Sequence, residues 1–113
     1  MKFILNKKDI VSMNMRFDQG KLHNEGSLDF ALSYCKKTEN WTKALALLTR
    51  AILIDHVFEE GNKRTAALAI KTYADIEGYE TYDDRILLMI KEILLKNITN
   101  ITKIEDMIKN AIK

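Results

Sequence analysis

The stretch from Asn40 to Asp55, NWTKALALLTRAILID, limits the possible folds more than any other. Its apolar residues Ala44, Leu45, Leu47, Leu48, Ala51, Ile52 and Ile54 cover more than one helical stripe. A helix that is apolar nearly all round has to be enclosed by neighbours on several sides. The rest of the chain must therefore supply those neighbours. With no proline and only four glycines in 113 residues, there are few places where a helix is forced to break.

The neighbours are legible as amphipathic segments. KKDIVSMNM reads as a short first helix that Asn6 is placed to cap. SLDFALSYCKK has Leu28, Ala31 and Leu32 at helical spacing and begins at Ser27 or Glu25. NKRTAALAIKTYADIEG places Ala66, Ile70, Tyr73 and Ala74 on one face, and Gly78 suits a left-handed C-terminal cap. DDRILLMIKEILLKN opens at Asp83 or Asp84, and TKIEDMIKNAIK reads as a last helix with a capping box in Thr102 and Glu105. Between the first two helices, Arg16 to Gly26 is polar and glycine-bearing, and it reads as a loop or hairpin-like flap. No run alternates in the manner of a strand. The expectation is a single all-α domain of about six helices spanning residues 1–113.

Bulk properties narrow the function classes. Eighteen basic and sixteen acidic residues nearly cancel to +2, so nothing in the balance calls for nucleic acid or an anionic membrane. The apolar start, MKFILNKKDI, is too short for a signal peptide and no span approaches transmembrane length, which makes the cytoplasm the expected compartment. Asn40, Asn97 and Asn100 each begin a glycosylation-type triplet, read as coincidence without secretion. Cys35 is the only cysteine, which excludes an internal disulfide and reads as a buried, inert thiol.

The chemistry is concentrated in HVFEEGNKRTA, from His56 to Ala66, where the central helix gives way to the next. The first turn of a helix carries unpaired N–H groups and a partial positive charge, and it attracts phosphate oxygens. Gly61 lets backbone approach a ligand, and Asn62 can cap the helix or bond a phosphate through its amide. Lys63 and Arg64 add positive charge to an already positive helix end, a local cost that an anion would offset. Glu60 is a candidate Mg²⁺ ligand, His56 a candidate general base, and Phe58 an anchor that points into the core. Singly, a histidine at a helix end or a Lys-Arg pair is more often structural or solvated. The combination, with base, metal ligand, anion cradle and cations in one stretch, is what phosphoryl or nucleotidyl transfer requires.

HVFEEGNKR resembles the signature of the Fic/Doc superfamily, His-x-Phe-x-acid-Gly-Asn-Gly-Arg in the Fic adenylyltransferases. The Doc (death-on-curing) branch carries lysine in place of the second glycine, as Lys63 does here, and LHNEGSLDFAL resembles the family's upstream segment. The resemblance implies the compact Fic/Doc helical core, with His56 as general base, Glu60 on Mg²⁺, and Gly61 to Arg64 cradling the phosphates of ATP. It further implies a toxin kinase that moves the γ-phosphate of ATP to a hydroxyl of a translation factor such as elongation factor Tu, restrained by an antitoxin chain. The Arg16–Gly26 flap would be where the target backbone lies down. Ala67, where many Fic enzymes have a second arginine, agrees with Doc; Glu60 and Gly61 lean towards Fic, since Doc commonly has Asp and Ala there. No self-inhibitory Ser/Thr-x-x-x-Glu element is found in the sequence. The alternatives are transfer of AMP to a protein hydroxyl, or a catalytically inactive interaction module of the same fold.

Overall fold

Residues 5–113 are described by a computed structural model; the apolar start weighed as a leader lies mostly outside them. Six helices follow one another: α1 (Lys7–Asn14), α2 (Glu25–Cys35), α3 (Trp41–Leu53), α4 (Asn62–Ile76), α5 (Asp83–Lys96) and α6 (Ile101–Asn110). α3 is the axis of the molecule and packs against α2, α4 and α6, while α1 rests on α4 and α5 bridges α4 to α6. This is the enclosure its sequence demands, with every residue from Ala44 to Thr49 and from Ala51 to Leu53 buried. The expected inner faces of α2 and α4 are also buried, Leu28, Ala31 and Leu32 on one and Ala66, Ile70, Tyr73 and Ala74 on the other. The Cα radius of gyration is 12.5 Å, close to the ~13 Å of one domain this long.

Asparagine opens α1, α2, α3 and α6: the side chains of Asn6, Asn24, Asn40 and Asn100 each accept a hydrogen bond from a first-turn N–H. Its short amide satisfies a backbone donor that the helix itself cannot. α4 stops at Gly78, whose φ of 86° carries the left-handed cap the sequence anticipates. There the Tyr79 N–H donates to the Ala74 carbonyl at 2.9 Å and the Gly78 N–H to Asp75 at 3.0 Å, a Schellman closure.

α6 corrects one expectation. Thr102 and Glu105 have capping-box spacing, yet the helix begins at Ile101 with Asn100 as its cap. Glu105 is instead turned inward, where its carboxylate accepts from the Thr42 hydroxyl at the start of α3 and lies 3.5 Å from Lys109. A local pattern is outcompeted here by a tertiary partner. Burial pushes the Glu105 carboxyl up, but hydrogen bonds from Thr42 and Asn40 and the Lys109 charge outweigh it and hold the group below its ordinary value.

The two ends of the C-terminal half are tied together. The Tyr82 N–H donates to Ala111 at 2.8 Å, and Glu80 and Lys113 exchange backbone bonds at 2.9 and 3.0 Å. Cys35 is fully buried, its thiol donating to the Ala44 carbonyl at 3.4 Å, and burial pushes its pKa up to about 12. Among the described residues no helix is long and apolar enough to cross a membrane.

Candidate functional site

After the last turn of α3 the chain leaves through His56, which has a φ of 54°. A non-glycine residue in the left-handed region is uncommon, and such outliers gather at functional sites. Asn97 is the other one, but it serves as the C-cap of α5, a role that accounts for it. His56 has no such role and is exposed.

The next residues pin this turn from below. Val57 and Phe58 are completely buried, so the expected anchor at Phe58 is present. The flap lies against them: the His23 N–H donates to Val57 at 2.7 Å and the Glu59 N–H to Lys21 at 3.0 Å, which sets Leu22 opposite Phe58 in an antiparallel bridge. In such a pair the backbone groups of Leu22 itself face away from the motif. On the other flank, the Ser27 hydroxyl and the Asn24 amide hold Asp55 at 2.8 and 3.1 Å.

Asn62 takes a different role from the one its sequence position suggests. The cap of α4 is Gly61, with a φ of 78° and no side-chain cap bond, and Asn62 is the first helical residue. Side chains in a helix lean towards its N-terminus, and the Asn62 amide accordingly reaches back to Phe58. It accepts from the Phe58 N–H at 3.0 Å and donates to the Phe58 carbonyl at 2.8 Å. Its amide is therefore committed, and what Asn62 offers an anion is its backbone N–H.

Beneath the turn sits a residue that the sequence did not single out. Asn14, at the end of α1, is completely buried. Its amide donates to the Glu60 carbonyl at 2.9 Å and the Thr65 hydroxyl at 3.1 Å, and its oxygen accepts from the Gly20 N–H at 2.8 Å. A Cβ on Gly61 would lie 2.9 Å from the Asn14 amide nitrogen, in a backbone conformation that already disfavours one. Packing against Asn14 and the left-handed backbone both favour glycine here.

These constraints gather the expected residues. His56, Glu60, Gly61, Asn62, Lys63 and Arg64 all line one open pocket of about 400 Å³, together with Asp18, Phe17, Leu53 and Leu94. That volume lies within the ~300–1,000 Å³ typical of small-molecule sites. Among the described residues, the side chains of His56, Glu60, Lys63 and Arg64 have no hydrogen-bond or ion-pair partner. α4 is also the one helix of the six with neither a side-chain cap nor an acid in its first turn. Its dipole and two cations are left facing the pocket without a counter-charge beyond Glu60 and Asp18 on the lining.

Asp18 and the apolar lining were not foreseen. A lone aspartate in a polar loop gives no signal by itself, and Leu53 and Leu94 read only as core. For Mg²⁺ the donor set fits: the ion takes one or two carboxylates and completes its shell with phosphates and waters, and Glu60 and Asp18 line the same pocket. Among the described residues no cluster of three or more histidine, cysteine or acidic side chains is arranged to hold a metal by itself. Compared with known proteins, the chain matches no protein-family model, no curated protein and no solved structure.

Proposed function

We propose that the protein is an ATP-dependent protein kinase of the Doc type, which moves the γ-phosphate to a threonine or serine hydroxyl of a translation factor such as elongation factor Tu and is restrained by an antitoxin chain. The observation that carries this reading is the meeting of His56, Glu60 and the Gly61–Arg64 turn around one pocket at the open N-terminus of α4. The resemblance of HVFEEGNKR to the Doc signature, lysine included, supplies the direction of transfer.

His56 accepts the proton of the target hydroxyl as its oxygen bonds the γ-phosphorus and the bond to the β-phosphate oxygen breaks, leaving ADP. Lys63, Arg64 and the first-turn N–H groups of α4 bind the phosphate oxygens, whose charge offsets the crowding of cations at a positive helix end. Glu60, with Asp18 on the same pocket lining, would hold Mg²⁺, which when bound neutralises phosphate charge. Leu22, its backbone groups facing away from the motif, offers an extended edge to target backbone.

Transfer of AMP is the second reading, and the Glu60 and Gly61 departures from Doc favour it. For Gly61 the contact with Asn14 supplies a local cause, which removes half of that argument. ATP labelled separately at the α and γ positions, incubated with elongation factor Tu, tests both. Label from the γ position that disappears in His56→Ala is the expected result; label from the α position alone makes the protein an adenylyltransferase. An interaction module without catalysis leaves no label from either position and a phenotype indifferent to His56→Ala.

A further inference from the structure

His56 is exposed and its imidazole has no hydrogen-bond partner among the described residues, so the backbone alone sets where the ring points. Its φ is the angle at which the planar Asp55–His56 peptide meets the Cα of His56. The Asp55 carbonyl oxygen lies in that plane. Whatever grips this oxygen therefore grips φ, and with it the direction of the side chain.

One residue grips the chain on both sides of His56. The Asn24 amide nitrogen donates to the Asp55 carbonyl at 3.1 Å. Its backbone N–H donates to the Val57 carbonyl at 3.1 Å, beside that of His23 at 2.7 Å. Val57 is completely buried and has no room to follow a turning plane. The last polar atom of the Asn24 side chain, its oxygen, caps α2 by accepting from the Ser27 N–H at 3.3 Å. Asn24 is thereby anchored to a helix whose Leu28, Ala31 and Leu32 lie in the core. The net worth of one hydrogen bond matches the penalty of a left-handed, non-glycine residue. Loss of the amide bond is enough to let the plane turn over.

We propose that Asn24 is a positioning residue for His56: its amide fixes the peptide plane ahead of the histidine and so aims the imidazole into the pocket. Asn24 is not among the residues that line that pocket, and it acts only through the backbone. The phosphate cradle is held from another side, by the Asn14 amide on the Glu60 carbonyl and the Thr65 hydroxyl. Aiming the base and binding the nucleotide are therefore separable. The effect on transfer rests on His56 being the general base of the proposed reaction; the hold on its backbone does not.

The test uses the full chain and two substitutions that keep the cap of α2. Aspartate and serine cap a helix about as well as asparagine, but neither has an amide to give the Asp55 carbonyl. Asn24→Asp and Asn24→Ser should each lower kcat for phosphate transfer about fivefold to tenfold, with KM for ATP and the melting temperature unchanged. Ser27→Ala frees the Asp55 carboxylate but leaves its carbonyl held, and should change kcat by less than about twofold. A readout independent of activity is the one-bond Cα–Hα coupling of His56 by nuclear magnetic resonance, which differs between left- and right-handed backbone. It should move towards the right-handed value in both Asn24 variants and stay in place in Ser27→Ala. A coupling that does not move overturns the proposal, as does a kcat unchanged in both variants of a protein that transfers phosphate. So does a kcat that falls only in step with the melting temperature, which makes Asn24 a cap alone. If the coupling moves and the native chain transfers no phosphate, the hold on His56 stands and the kinase reading falls.

Discussion

α3 and α4 are consecutive helices whose N-termini are finished in opposite ways. At α3, the Asn40 side chain caps the Lys43 N–H, and the Thr42 hydroxyl donates to the buried Glu105 carboxylate, so the chain supplies its own anion. At α4, Gly61 caps nothing with a side chain, Lys63 and Arg64 occupy the first turn, and the end opens into a pocket. The same helix-end electrostatics thus serve stability in one place and remain available in the other. An N-terminus that the fold could have closed, and did not, is where an external anion has most to offer.

The comparison can be broken at either end. The largest expected effect is at the open one: His56→Ala should lower phosphate transfer by about 10²–10⁴-fold, the usual contribution of a general base, measured with γ-labelled ATP. Asn14→Leu comes next. It strands the buried Thr65 hydroxyl and the part-buried Glu60 carbonyl and Gly20 N–H, and a loss of about 2–3 kcal/mol is expected from urea unfolding.

At the closed end, Glu105→Gln should cost about 1–2 kcal/mol at neutral pH by removing a charged acceptor from Thr42. Its pH dependence has a definite sign. The folded carboxyl titrates below its ordinary value, so its stabilisation is present above the ordinary carboxylate range and is lost as pH falls through the folded value. The gap between native and Glu105→Gln midpoints should therefore close as pH falls below the ordinary carboxylate range. The smallest effect sharpens the contrast: ATP at roughly four times its Kd should add about 1 kcal/mol to the stability, and Arg64→Gln should reduce that gain.

Much of this architecture was legible. Apolar faces located all six helices, and Asn6 and Gly78 marked their ends, because these signals depend on residues close in sequence. The site was legible in outline for the same reason, since His56 to Arg64 is one short stretch. What escaped was set by distance along the chain. Asn14 reads as an ordinary polar residue until the fold brings Glu60 and Thr65 to it. Glu105 matched a local capping pattern and was claimed by Thr42 on another helix. Asn62 looked like a cap until Phe58 turned out to need both ends of its amide.

The left-handed turn at His56 separates two roles that mutagenesis usually confounds. At a φ of 54° glycine is the occupant of least backbone cost, and any other residue is disfavoured by about 1–2 kcal/mol. His56→Gly and His56→Ala remove the same imidazole, yet only the first relieves the backbone. The two variants should be equally inactive and differ in melting temperature, with glycine the higher. A histidine in that conformation is a standing cost to the fold, and the same two variants measure that cost apart from the loss of the imidazole.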